Sequence, residues 1–499
     1  MSPNASLDRR EFLRLGAGAA LTAAAAPWLS MAAFAEDDFS RLDALGQAEL
    51  VRGGAASARE LALAAIRRIE KLNPVLNAVV ATDFERALER CLRPLPDGPF
   101  TGVPFLLKDL EDYQGVRYTS GSVLFRDRVG SATPELTRRM EATGLVVLGK
   151  TNTPEFGLLP GTEPKLFGPA RNPWDSSFDP GGSSGGAAVS VASGMVPMAD
   201  GGDGGGSIRV PSSNCGLFGI KVSRGRQPEP TLRPVDLAVR HVLTRSVRDS
   251  AAMLQATALS HAEGSRLPPP LAPSDRKPRR LRIACHTTDL TGVRSHPECV
   301  AAVVSSARLC ELLGHRVEEA KPKIDGERFI DHFLVLWGFI PTMILDEVTR
   351  ELGRPVPPTS FEGWTWGLVD HYRKQPEGAL EAAAGYMQEV TREMARFHES
   401  YDLVLSPVLS RPGVRTGELS PDLPFEELRR RVVAYVTYTP VANVTGSPAM
   451  SVPLHWTPEG YPVGSHFSGR LGEEATLFAL AEQLEEARPW ANRRAPLFA

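Results

Sequence analysis

Two stretches decide how this chain is read: Asp179-Pro180-Gly181-Gly182-Ser183-Ser184-Gly185-Gly186 and Gly201-Gly202-Asp203-Gly204-Gly205-Gly206-Ser207. Glycine at this density costs conformational entropy on folding. It is retained where backbone amides must come close to a substrate or to another element. Residues 187–194 between them are small and suit a tightly packed helix. The apolar segments Val196-Pro197-Met198 and Leu217-Phe218-Gly219-Ile220 punctuate the region, which a flexible linker would lack. The glycines therefore predict a site set into a core.

Outward from this region, strand and helix patterns alternate. Phe105-Leu106-Leu107, preceded by Gly-Val-Pro, and Leu145-Val146-Val147-Leu148, with glycine on both sides, read as short buried strands. A helix is expected between them, over about 134–143. Upstream, Leu42, Leu45 and Leu50, then Leu61, Ala65, Ile66 and Ile69, recur at helical spacing, and Asn73-Pro74 is expected to end the second helix. Downstream come a Pro-rich surface segment (268–278), a strand at 281–284, a helix over 297–313 and a mostly helical region at about 325–400. Strands near 401–405 and 448–452 and an amphipathic closing helix over 474–487 follow. The pattern is α/β without an internal repeat. Trp337, Phe339, Trp364 and Trp366 fall in the helical region, where they suit either a core or an apolar pocket; the region itself suits either a cover for the site or a homodimer contact.

Composition narrows the function classes. The chain has 499 residues, 42% hydrophobic and 23% charged, with a formal net charge of −3, so it can build a large core. Its lysines and arginines are scattered, and no nucleic-acid partner is expected. Five cysteines without a Cys-x-x-Cys pair, and histidines without a His-Glu-x-x-His motif, predict neither a disulfide framework nor a metal site. Residues 1–35 stand apart. Arg9-Arg10-Glu11-Phe12-Leu13-Arg14, a weakly apolar Gly/Ala stretch and Ala33-Phe34-Ala35 follow the order of a bacterial twin-arginine export signal, with an amphipathic helix as the plainer reading. The expectation is a removed signal and a periplasmic or secreted protein starting near Glu36, a single catalytic domain over 36–499 without stable membrane association.

Three motifs compete for the chemistry. Gly144 to Thr151 spells a phosphate-binding loop, but the strand-like residues lie between its glycines, where a loop is needed. Gly182-Ser183-Ser184-Gly185-Gly186 spells the nucleophile elbow of α/β-hydrolases around Ser184, but residues 171–180 are too rich in proline and turn formers for the required strand. Ser207 is the third. Its three preceding glycines can turn consecutive amides toward one point, so Gly204, Gly205, Gly206 and Ser207 form a candidate oxyanion hole. No histidine stands near it in sequence. A buried lysine with a depressed pKa can serve as base, and Lys108 ends the strand-like run Val103-Pro104-Phe105-Leu106-Leu107. Position alone leaves Lys108 open between such a base and an ordinary strand-end lysine.

Several of these segments together resemble the amidase signature family: Gly102 to Asp109, Gly149 to Phe156, Arg171 to Asp175, Gly181 to Gly186, Asp203-Gly204-Gly205-Gly206-Ser207-Ile208-Arg209 and Asn443 to Ala449. The resemblance implies an α/β/α sandwich with a mixed central sheet surrounded by helices. It also implies an amide hydrolase that needs no cofactor and acts on a small-molecule amide. In that family's terms Ser207 is the nucleophile that carries the acyl group, Ser183 the serine behind it on a cis peptide bond, and Lys108 the base. Asp203 and Arg209 would brace the glycine loop, and Ser184 would be a hydrogen-bonding neighbour. The commonest family spelling has a threonine at 202 and an isoleucine at 204. The glycines here, with Thr162-Glu163-Pro164 and Arg488-Pro489-Trp490, are similar to the branch containing 6-aminohexanoate cyclic-dimer hydrolase, with cyclic or linear amides of amino acids as expected substrates. Ester or carbamate hydrolysis by the same relay and a non-catalytic binding relative are the alternatives.

Overall fold

The computed structural model describes residues 36–228, 236–268, 270 and 279–499; the expected export signal and most of the Pro-rich segment lie outside them. These described residues hold together as one compact unit. Eleven strands form one sheet: β1 (Val79–Thr82), β2 (Pro104–Lys108), β3 (Val146–Thr151), β4 (Met198–Asp203), β5 (Phe218–Lys221), β6 (Val239–Thr244), β7 (Arg282–Cys285), β8 (Arg316–Glu319), β9 (Leu403–Pro407), β10 (Ala449–Trp456) and β11 (Pro462–Ser468). Their order is β1-β3-β2-β4-β6-β5-β10-β11-β9-β7-β8. The trio β3-β2-β4 is parallel, as is β9-β7-β8, while the remaining pairs are antiparallel. The mixed α/β architecture expected from the sequence is the one found.

β2 is buried along its whole length, and its alternation sets the site. Phe105 and Leu107 pack with Met140, Met198, Val242 and Met253 on one face. Leu106 packs on the other with Ala187, Val191, Ala199 and Ile208. Successive side chains of a strand point to opposite faces, so Lys108 follows Leu106 toward the helix Gly185–Ala192. That helix lies close to the chain because Gly186 has no side chain: a Cβ there would sit 2.6 Å from the Ala78 carbonyl oxygen and closer still to the Asn152 amide.

Two local expectations needed revision. The helix expected to stop at Asn73-Pro74 runs from Ala58 to Leu76 with Pro74 inside it, and Asn77 ends it in the left-handed region at φ 48°. A proline near a helix end displaces few backbone bonds, so it did not act as the terminator. The run at 145–148 continues as β3 through Gly149-Lys150-Thr151, which removes the phosphate-loop reading outright. The helical region consists of Gly326–Leu352, Gly363–Arg373 and Ala379–Ser400. The first has the length and apolar composition of a membrane span, but packs against the other two.

Gly186→Ala should lower the free energy of unfolding by about 1–3 kcal/mol, because backbone must move to admit the methyl group. Gly385, inside the helix Ala379–Ser400, has nothing within 4 Å of its Cβ position. Gly385→Ala should be neutral or stabilising by up to about 1 kcal/mol. Denaturant melts of the two variants beside the parent chain check both signs.

Candidate active site

Lys108 is 1% exposed at the end of β2. Its Nζ reaches the Ser183 Oγ at 2.7 Å and the Ser184 Oγ at 3.0 Å. Its backbone N–H donates to Asp200 Oδ2 at 3.1 Å. Burial pulls its pKa from 10.5 down to about 8, against the opposing pull of Asp200, Glu111 and Asp203 and with help from Arg240. An amine so placed spends much of its time neutral near pH 8, with a lone pair beside a serine hydroxyl. This is the environment of a base, not of a surface lysine.

Ser183 follows a cis peptide bond from Gly182. Ser184 is occupied on every side: its Oγ accepts from Lys108 and from the Gly202 N–H (3.2 Å) and donates to the Gly202 carbonyl (3.2 Å). One donor and two acceptor positions are all a hydroxyl has. Ser184 is fully buried and does not line the cavity, so the elbow reading fails on geometry as well as on sequence. Its N–H donates to the Ser207 carbonyl at 3.2 Å, tying the two glycine-rich segments together. No hydrogen bond joins the Ser183 and Ser207 hydroxyls among the described residues. Catalytic hydrogen bonds often close only when substrate is bound.

Ser207 follows β4 on the glycine loop and faces a cavity. The loop is held from behind by Asp203. One carboxylate oxygen accepts the Gly206 N–H (2.8 Å), the other the Ile208 N–H (3.1 Å), and both meet the Arg209 guanidinium at 2.8 and 3.0 Å. Burial works to raise the Asp203 pKa, but Arg209 and the hydrogen bonds outweigh it and hold the carboxyl far below the usual range. Asn443 donates to Asp203 Oδ1 (2.9 Å) and to its carbonyl (2.8 Å), and accepts from Arg209 (2.7 Å). Arg209 also meets the His466 Nε2 at 3.0 Å. A guanidinium can only donate, so Nε2 is the acceptor, and Nδ1 carries the proton toward Ser406 Oγ at 3.1 Å. The sequence placed Asp203 and Arg209 as braces, and the structure shows the contacts. Of the four amides offered by the sequence as candidate oxyanion donors, that of Gly206 is committed to Asp203.

Apolar groups dominate the cavity wall, chiefly Leu158, Phe329, Phe333, Trp337, Trp364 and Val432. Of the four aromatics singled out in the sequence, Trp337 and Trp364 line it, while Phe339 packs on Tyr372 and Trp366 on Phe361. Gly204 does not enlarge the space: Trp337 Cη2 stands 3.2 Å from its Cβ position and fills it. Phe329 and Phe333 were missed because a helix's facing side is set by its packing partners.

Also unread in the sequence was the charged group beneath Lys108. Arg240 bonds Asp200 at 3.1 Å and Glu111 at 3.0 Å, and Lys150, itself drawn to about 8 mainly by burial, donates to the Glu111 carbonyl. Asp200 and Arg240 are in line with Met198 and Val242, on the sheet face opposite Ser183, so they act on Lys108 without reaching a substrate.

The amidase family model matches residues 60–478. This chain belongs to the amidase-signature family, and it is an amide-hydrolysing enzyme. A Mycobacterium leprae (strain TN) protein named as an amidase, AmiC, is 40% identical over 92% of this chain and 98% of its own length. The 6-aminohexanoate-cyclic-dimer hydrolase of Pseudomonas sp. (strain NK87) is 34% identical over 91% of this chain and 96% of that protein. A solved structure of a 6-aminohexanoate cyclic dimer hydrolase with substrate superposes at a TM-score of 0.85, with 32% identity, covering 92% of this chain and all of that one. Membership in the amidase family matches the resemblance drawn from the motifs, and the Ser-Ser-Lys relay is characteristic of the family.

The charges around Lys108 predict opposite shifts in the pH–rate profile. For a lysine acting as base the neutral form is the active one, so kcat/KM should rise as pH approaches about 8 and level off above it. Arg240→Met removes a positive neighbour, raises the lysine pKa and should move the rising limb to higher pH. Asp200→Asn keeps an acceptor for the Lys108 N–H but loses the charge, and should move the limb lower. Profiles from pH 6 to 10 check the signs.

Proposed function

We propose that Lys108, Ser183 and Ser207 form the relay of this amidase. Neutral Lys108 Nζ takes the Ser183 proton as Ser183 Oγ takes the Ser207 proton, and Ser207 Oγ attacks the amide carbonyl carbon. The N–H groups of Gly204, Gly205 and Ser207 receive the oxyanion. Collapse breaks the C–N bond, and the relay returns the proton to the departing amine. The acyl group remains as an ester on Ser207 until water, deprotonated through the same relay, releases the carboxylic acid. The observation that carries this reading is the 2.7 Å contact between Lys108 Nζ and Ser183 Oγ, buried at the strand end.

The cavity wall supports neutral, largely hydrocarbon amides as substrates, and the named activity of the cyclic-dimer hydrolase relatives extends this to cyclic as well as linear amides of amino acids. We also propose that the chain is exported with its N-terminal segment as a twin-arginine signal, on the strength of Arg9-Arg10 and the small-residue site near Ala35. Cell fractionation of the parent and an Arg9→Lys/Arg10→Lys variant tests this; periplasmic recovery that survives the change would sink it.

Ser207→Ala and Lys108→Ala should each lose about 100- to 10,000-fold in turnover with an unchanged fold. Product release from linear amides, a cyclic diamide, anilides, carbamates and esters, followed by mass spectrometry at pH 8 and 9, reads both the loss and the leaving groups accepted. Full turnover in Ser207→Ala would remove the nucleophile assignment.

A further inference from the structure

A second space adjoins the apolar cavity. Asp289, Thr291, Ile330, Val433 and Thr437 belong to both walls, so the two lie side by side. Ser207 and the glycine loop border only the first. The chemistry changes across the boundary, from hydrocarbon to charge: Asp289 stands on the shared wall with its Oδ1 accepting from Thr291 and the Val293 N–H, and the other charges divide by element. Glu327 and Asp331 stand one turn apart on the helix Gly326–Leu352. Arg429 and Arg430 come from the helix Phe425–Tyr435, and Arg294 from the segment ahead of the helix Pro297–Leu312.

Arg429 is paired with Glu426 on its own helix at 2.8 Å. Glu327, Asp331, Arg294 and Arg430 make no ion pair among the described residues. An acidic wall and a basic wall thus border one space with no ion pair between them. Side chains of opposite sign that do not close on each other leave room for a guest carrying both signs. Its ammonium would meet the acidic wall and its carboxylate the basic one, while an attached hydrocarbon chain continues into the apolar cavity.

We propose that this vestibule is a subsite for a zwitterionic head group, that of an amino acid, on a ligand whose apolar chain runs toward Ser207. The inference deepens the amide-hydrolase reading and rests on it only for the direction in which the chain points. It adds to the neutral hydrocarbon amides those with an arm ending in both an ammonium and a carboxylate. Contacts of this kind are solvent-facing and each is weak, so two of them together amount to about tenfold in affinity.

Titration calorimetry at low ionic strength, with α-aminooctanoate, octylamine and octanoate as ligands of the wild-type chain, tests this without any turnover. The zwitterion should bind about threefold more tightly than either singly charged analogue, which keeps one of the two contacts. Added salt should narrow the gap. Arg430→Glu and Asp331→Lys should each abolish it, with the far-UV circular dichroism and the denaturant midpoint of the parent retained. Equal affinities for the three ligands, or variants that keep the preference, would overturn the subsite. A wild-type chain that prefers the zwitterion but hydrolyses no amide would leave the subsite standing and remove the catalytic reading instead.

Discussion

One buried amine organises this enzyme. Lys108 sits at the end of a strand covered on both faces, and taking an ammonium out of water is costly, so its proton is held loosely. The same burial brings Nζ against two serine hydroxyls and shields the contact from competing solvent. Arg240, Asp200 and Glu111 form a compensated group beneath it, so its proton affinity depends on the balance of several charges rather than on burial alone.

The glycine loop poses the opposite problem. Its amides must point outward to a substrate, so it cannot be held by regular secondary structure. A single carboxylate holds it instead: Asp203 accepts from Gly206 and Ile208, and is in turn fixed by Arg209 and Asn443. Committing the Gly206 N–H to this brace takes one of the four candidate amides away from the substrate side and anchors the loop.

The walls of the two spaces come from elements remote from Lys108 in the sequence. The helix Gly326–Leu352 supplies Phe329, Phe333 and Trp337 to the cavity and, half a turn away, Glu327 and Asp331 to the vestibule. One helix thus serves two environments in sequence, hydrocarbon near Ser207 and charge farther out.

Much was legible in the sequence because it rests on local rules. Short apolar runs bounded by glycine marked β2 and β3, glycine density marked the loop, and spacing and motif order placed Lys108, Ser183 and Ser207 within one family pattern. The strands β1, β4, β5, β6, β8 and β11 went unread because they are short, glycine-rich or polar and are defined by their partners. Tertiary structure alone decided that Lys108 faces Ser183, since this depends on which face of β2 the helix Gly185–Ala192 covers. It alone decided that Gly206 serves Asp203, that Trp337 lines the cavity while Trp366 does not, and that Arg240 lies beneath the base. Periodicity states which residues share a face; only packing states what that face meets.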